Sequence, residues 1–86
     1  MSVTKPAPDE RLLTDPLRIE ALMTTHLRAV ATTSDGWDRL YLDPDDGRLW
    51  ELTYPHGEMH GGGPPELREI DVTAARDRYG YGLSKP

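Results

Sequence analysis

The sequence predicts an α+β fold: an N-terminal helix packed on a small antiparallel sheet containing a hairpin, with a short C-terminal helix. Three observations predict it. Apolar residues recur at helical spacing after Asp15 and Pro16. Two β-rich runs flank the turn-forming segment DPDDG at 43–47. Near the end, Asp71, an eight-residue helical stretch and Gly80 follow one another as cap, helix and stop. Eighty-six residues make one domain at most. A chain this short buries only about 60–65% of its unfolded surface, so its core is thin. Phe is absent, which leaves Trp37, Trp50 and four tyrosines as the bulky packing groups.

Residues 1–14 mix Pro6 and Pro8 with charges and show no periodicity. They read as a flexible N-terminal tail ahead of a single domain over 15–86, with Leu12 and Leu13 able to pack onto the body. Asp15 then offers an N-cap acceptor and Pro16 the first helical position. Ile19, Leu22, Met23, His26, Leu27 and Val30 fall on one helical face. The pattern predicts a helix over 16–33 that stops at Ser34, Asp35 and Gly36. His26 lies at the edge of the stripe and reads as a partly buried packing residue.

Strands are expected at 37–42 and 48–54, joined by the DPDDG turn. Trp50, the largest side chain of the second run, belongs in the core. Asp43, Asp45 and Asp46 resemble a calcium loop only superficially, because the glycine and glutamate of such loops are missing from their places. A solvated turn is the expectation. The run 67–70 is long enough only for an edge strand, and Asp71 caps a final helix over Val72–Tyr79.

Several functions are disfavoured by composition. There is no cysteine, hence no disulfide framework. No basic region followed by an apolar run opens the chain, and no stretch approaches the ~20 apolar residues of a membrane span. A cytoplasmic protein is expected. The net charge of −5 disfavours nucleic acid and favours a basic partner. Ser2, Ser34 and Ser84 occupy the tail, a turn and the frayed end, so no nucleophile is set beside a base.

The segment YPHGEMHGGGPPEL at 54–67 is the most distinctive. His56 and His60 have the spacing of a helical zinc motif, but Glu58 is one place late and the glycines oppose a helix. In an extended segment His56, Glu58 and His60 would point one way. A small metal-binding protein or metal-dependent hydrolase using them, with Glu51, is the competing reading. A phosphate cradle lacks its Lys and its following helix. The other reading is a shaped loop: Gly61, Gly62 and Gly63 permit a sharp path while Pro64 and Pro65 stiffen the exit. Such a loop presents Tyr54, His56, Glu58, Met59 and His60 for protein recognition.

The run WDRLYLDPDDGRLWELTYPHGEMHGGGPPELREI, followed by AARDRYG, resembles the immunity protein 27 family of bacterial polymorphic toxin systems. The matching positions include Trp37, Asp43, Pro44, Asp46 to Arg48, Trp50 to Leu52, Tyr54, Pro55, Glu58, His60 to Pro65, Arg78 and Tyr79. One departure stands at the start, where a proline-rich tail replaces the GKW-like segment that often precedes the family's helix. The resemblance implies an immunity protein: an antitoxin that binds and neutralises a cognate toxin by stoichiometric contact, with no catalysis, metal or cofactor. The surface expected to meet the toxin comprises Asp45, Asp46, Glu51, Tyr54, His56, Glu58, Met59, His60 and Glu66, with 61–65 shaping the loop.

Overall fold

The computed structural model describes residues 5–34, 36–55 and 64–82. In chain order the elements are β1 (Leu12–Leu13), α1 (Pro16–Thr25), β2 (Arg28–Thr32), β3 (Arg39–Leu42), β4 (Leu49–Thr53), β5 (Glu66–Ile70) and α2 (Val72–Tyr79). All pairings are antiparallel, in the spatial order β1-β5-β4-β3-β2. The α+β class is as expected. His56, Glu58, Met59, His60, Gly61, Gly62 and Gly63, expected to form the shaped recognition loop, lie outside the described residues.

Helix α1 starts where its capping chemistry puts it: Asp15 Oδ1 accepts the Leu17 N–H at 3.0 Å and Pro16 opens the first turn. It ends eight residues earlier than the predicted 16–33. Thr24 and Thr25 turn their hydroxyls onto the carbonyls of Glu20 and Ala21, a bond pattern that weakens helix continuation. His26 is the C-cap, and the chain becomes β2. The apparent stripe joined residues of two elements. Leu27 packs with Ile19 and Leu22, whereas Val30 packs on the opposite face of the sheet.

The hairpin β3–β4 forms as predicted, with Leu40 opposite Glu51 and Tyr41 opposite Trp50. Strand β5 is not an edge: it pairs with β4 on one side and β1 on the other. The two-residue β1 makes that edge, from within the segment expected to be a flexible tail. The opposite edge, β2, carries a bulge between Ala29 and Ala31, which disrupts its outer row of backbone groups.

Both faces of the sheet are covered. Leu13, Ile19, Leu22, Leu27, Tyr41, Trp50, Leu52 and Leu67 form the core beneath α1. Leu40, Leu49 and Ala75, with Ile70 and Tyr79, form a second core beneath α2. Double coverage explains why four successive residues of β4 are buried, Trp50 completely. Helix α2 has its predicted bounds, with Asp71 Oδ1 accepting the Ala74 N–H and Gly80 left-handed at φ 69°. No helix among the described residues is long and apolar enough to cross a membrane.

Candidate partner-binding surface

Glu51 sits mid-strand in β4, its side chain turned towards α2 and 0% exposed. A carboxylate without water must find charged donors or lose its ionisation. Register supplies one: Arg68 lies opposite on β5, its Nη2 3.1 Å from Oε1. Helix α2 supplies two more, as Arg78 Nη1 and the Tyr79 hydroxyl both donate to Oε2, the latter at 2.9 Å. Arg78 also reaches Asp38 Oδ2 at 2.9 Å. Two guanidiniums thus meet two carboxylates, and no net charge is stranded.

The electrostatics follow from this packing. Burial works against the Arg78 charge, but Glu51 beside it prevails and raises the guanidinium's affinity for its proton. Burial, then the bond to Glu51, pushes the Tyr79 phenol well above its usual range, so it remains a neutral donor. Chemically this is a clamp. Both Glu51 oxygens are occupied, and the clamp ties α2 to the sheet while holding two arginines at the surface. Their side chains are 53% and 41% exposed for Arg68 and Arg78.

Above the clamp lies an open depression lined by Asp38, Thr53, Tyr54, Pro55, Glu66, Arg68 and Arg78. Trp37, 59% exposed, precedes Asp38 at the same end of the hairpin. Of the residues expected to meet a partner, Tyr54 and Glu66 line this depression and Glu51 lies beneath it. Asp45 and Asp46 occupy the β3–β4 turn at the far end of β4, roughly 16 Å away for five residues of strand. Glu51, offered as a metal ligand in the competing reading, has its carboxylate engaged by Arg68, Arg78 and Tyr79. Sequence reasoning missed Asp38 and Arg68 as members. The available signal was Glu51 itself, a charge amid apolar neighbours in LWELT.

The far end is a built turn rather than a solvated one. Asp43 is 0% exposed, and its Oδ1 accepts the Asp45 N–H at 2.9 Å and meets His26 Nε2 at 2.9 Å. Asp46 Oδ1 accepts the Arg48 N–H at 2.9 Å, while Gly47 takes a left-handed φ of 78°. The Arg48 guanidinium lies 4.6 Å over the Trp50 ring, pairs with Glu69 at 2.8 Å, and donates to the Glu10 carbonyl. The DPDDGR signature therefore builds the hairpin and anchors the N-terminal segment to it.

A small α+β chain of this kind, with an internal ionic clamp under an aromatic and arginine-lined surface, has a matching family. The model of immunity protein 27 matches residues 14–71, about two thirds of the chain, and the chain belongs to that family. The matched region spans α1 to β5 and stops before α2, which supplies Arg78 and Tyr79. No curated protein and no solved structure matches the chain.

Proposed function

We propose that this immunity protein neutralises a cognate bacterial toxin in the cytoplasm by one-to-one binding, without catalysis. The observation that carries the proposal is the depression at one end of the sheet, where Tyr54, Arg68 and Arg78 converge with Asp38, the residue that follows the exposed Trp37. Trp, Tyr and Arg are the residue types that carry most interface energy. A clamp that fixes Arg78 before binding lowers the ordering cost of association. The proposed face continues in sequence into His56, Glu58, Met59 and His60, which follow Pro55.

The net charge of −5 supports a basic toxin, steered to the complex by long-range attraction. The test is co-expression with a candidate toxin encoded beside this chain's gene. Growth is expected to be rescued, and the two chains should co-purify in equal amounts. Toxicity undiminished by a folded, soluble immunity chain would contradict the proposal.

A further inference from the structure

We propose that His26, Asp43 and Asp45 form a binding site for one divalent transition-metal ion of the zinc class. The site lies at the turn end of the hairpin, away from the proposed toxin face. Each of the three residues offers one ligand atom, and these atoms lie within 4.8 Å of one another. His26 is held there as the C-cap of α1, its backbone N–H bonded to the Leu22 carbonyl at 2.9 Å.

Geometry and donor chemistry agree. His26 Nε2 stands 2.9 Å from Asp43 Oδ1 and 3.8 Å from Asp45 Oδ2. A tetrahedral zinc ion with ligand bonds of about 2.0–2.1 Å separates its donors by roughly 3.3–3.4 Å. The two separations straddle that value, and all three ligand atoms lie within 4.8 Å of one another. One imidazole and two carboxylates leave a fourth position for water, and imidazole suits zinc rather than calcium or magnesium.

An independent observation concerns Asp43. Its side chain is fully buried, yet Oδ2 has no hydrogen-bond partner among the described residues. The contacts to His26 and to the Asp45 N–H both fall on Oδ1, so Oδ2 is the carboxylate oxygen left for an ion, and a buried, unserved oxygen of this kind calls for an ion or water. Lys5 Nζ stands 3.7 Å from Asp45 Oδ2 and 3.9 Å from Asp46 Oδ2, so these carboxylates already attract a cation. That ammonium competes with the metal for Asp45.

Isothermal titration of the full chain with Zn²⁺ tests the site, together with four variants: His26→Gln, Asp45→Asn, Lys5→Ala, and the double variant His56→Ala/His60→Ala. The double variant removes the other two histidines of the chain. Asp45 is exposed, so its replacement leaves the fold intact for the measurement. One ion per chain is expected, with affinity falling at least about tenfold in His26→Gln and in Asp45→Asn. The double variant should bind as the parent does, and Lys5→Ala should bind more tightly. The proposal is overturned by absence of saturable binding, by retained affinity in either ligand variant, or by loss of binding in the double variant.

Discussion

Glu51 is the residue on which the surface depends. Its two oxygens hold Arg68, Arg78 and Tyr79, so its removal loosens α2 and leaves the arginines without an acceptor. Breaking a fully buried pair costs about 3–5 kcal/mol, but both arginines can turn to water here. Glu51→Ala is therefore expected to cost about 2–3 kcal/mol, read from the midpoint of urea unfolding. Tyr79 adds a pH dependence. Its folded-state pKa is raised above the ordinary phenol value of about 10, so the folded state holds the phenolic proton more tightly than the unfolded chain. The stability it contributes is complete below about pH 10 and is lost as pH rises towards the folded value. Urea midpoints measured from pH 9 upward should fall in the parent and fall less in Tyr79→Phe. Part of this was legible in the sequence. A charge within LWELT announces a buried carboxylate, but only strand register and helix docking show which arginines answer it.

At the scale of elements, local chemistry was the readable part. The hairpin and α2 each carry their own signals, a DPDDG turn and an Asp–Gly pair of caps, and both form where those signals stand. The end of α1 was not readable. Leu27 and Val30 satisfy helical spacing yet go to opposite faces of the sheet, and a short apolar run fits either period. Strand β1 was hidden because two residues become a strand only through pairing with β5. Two substitutions test how these elements hold together. Trp50→Ala empties a fully buried position between β4 and α1 and should cost about 3–5 kcal/mol, visible as a large drop in the thermal midpoint. Gly47→Ala meets no atom within 4 Å, so only its left-handed φ of 78° opposes the new side chain. About 1–2 kcal/mol is expected, and a midpoint unchanged by this substitution would show that the turn can adopt another backbone conformation.

For the whole molecule, the two ends of the hairpin have separate duties. At one end, DPDDGR, His26 and the N-terminal segment build the turn. At the other, Tyr54, Glu66, Arg68 and Arg78 line the depression proposed to meet the toxin. Tyr54 and Glu66 could be singled out from the sequence because they flank the glycine-rich segment. Asp38 could not, since its ion pair with Arg78 joins residues forty positions apart. The net charge of −5 also bears on association as a whole. Stopped-flow association with a basic toxin should slow steeply between low and physiological salt, whereas a salt-independent rate would remove the acidic surface from the mechanism. The most direct measurement is the toxin affinity of the double variant Tyr54→Ala/Arg68→Ala beside Asp46→Asn, which changes the far end. Binding is predicted to weaken at least about thirtyfold in the first, the equivalent of about 2 kcal/mol, and to stay near the parent value in the second. Unchanged affinity in a folded Tyr54→Ala/Arg68→Ala chain would contradict the assignment of this face to the toxin.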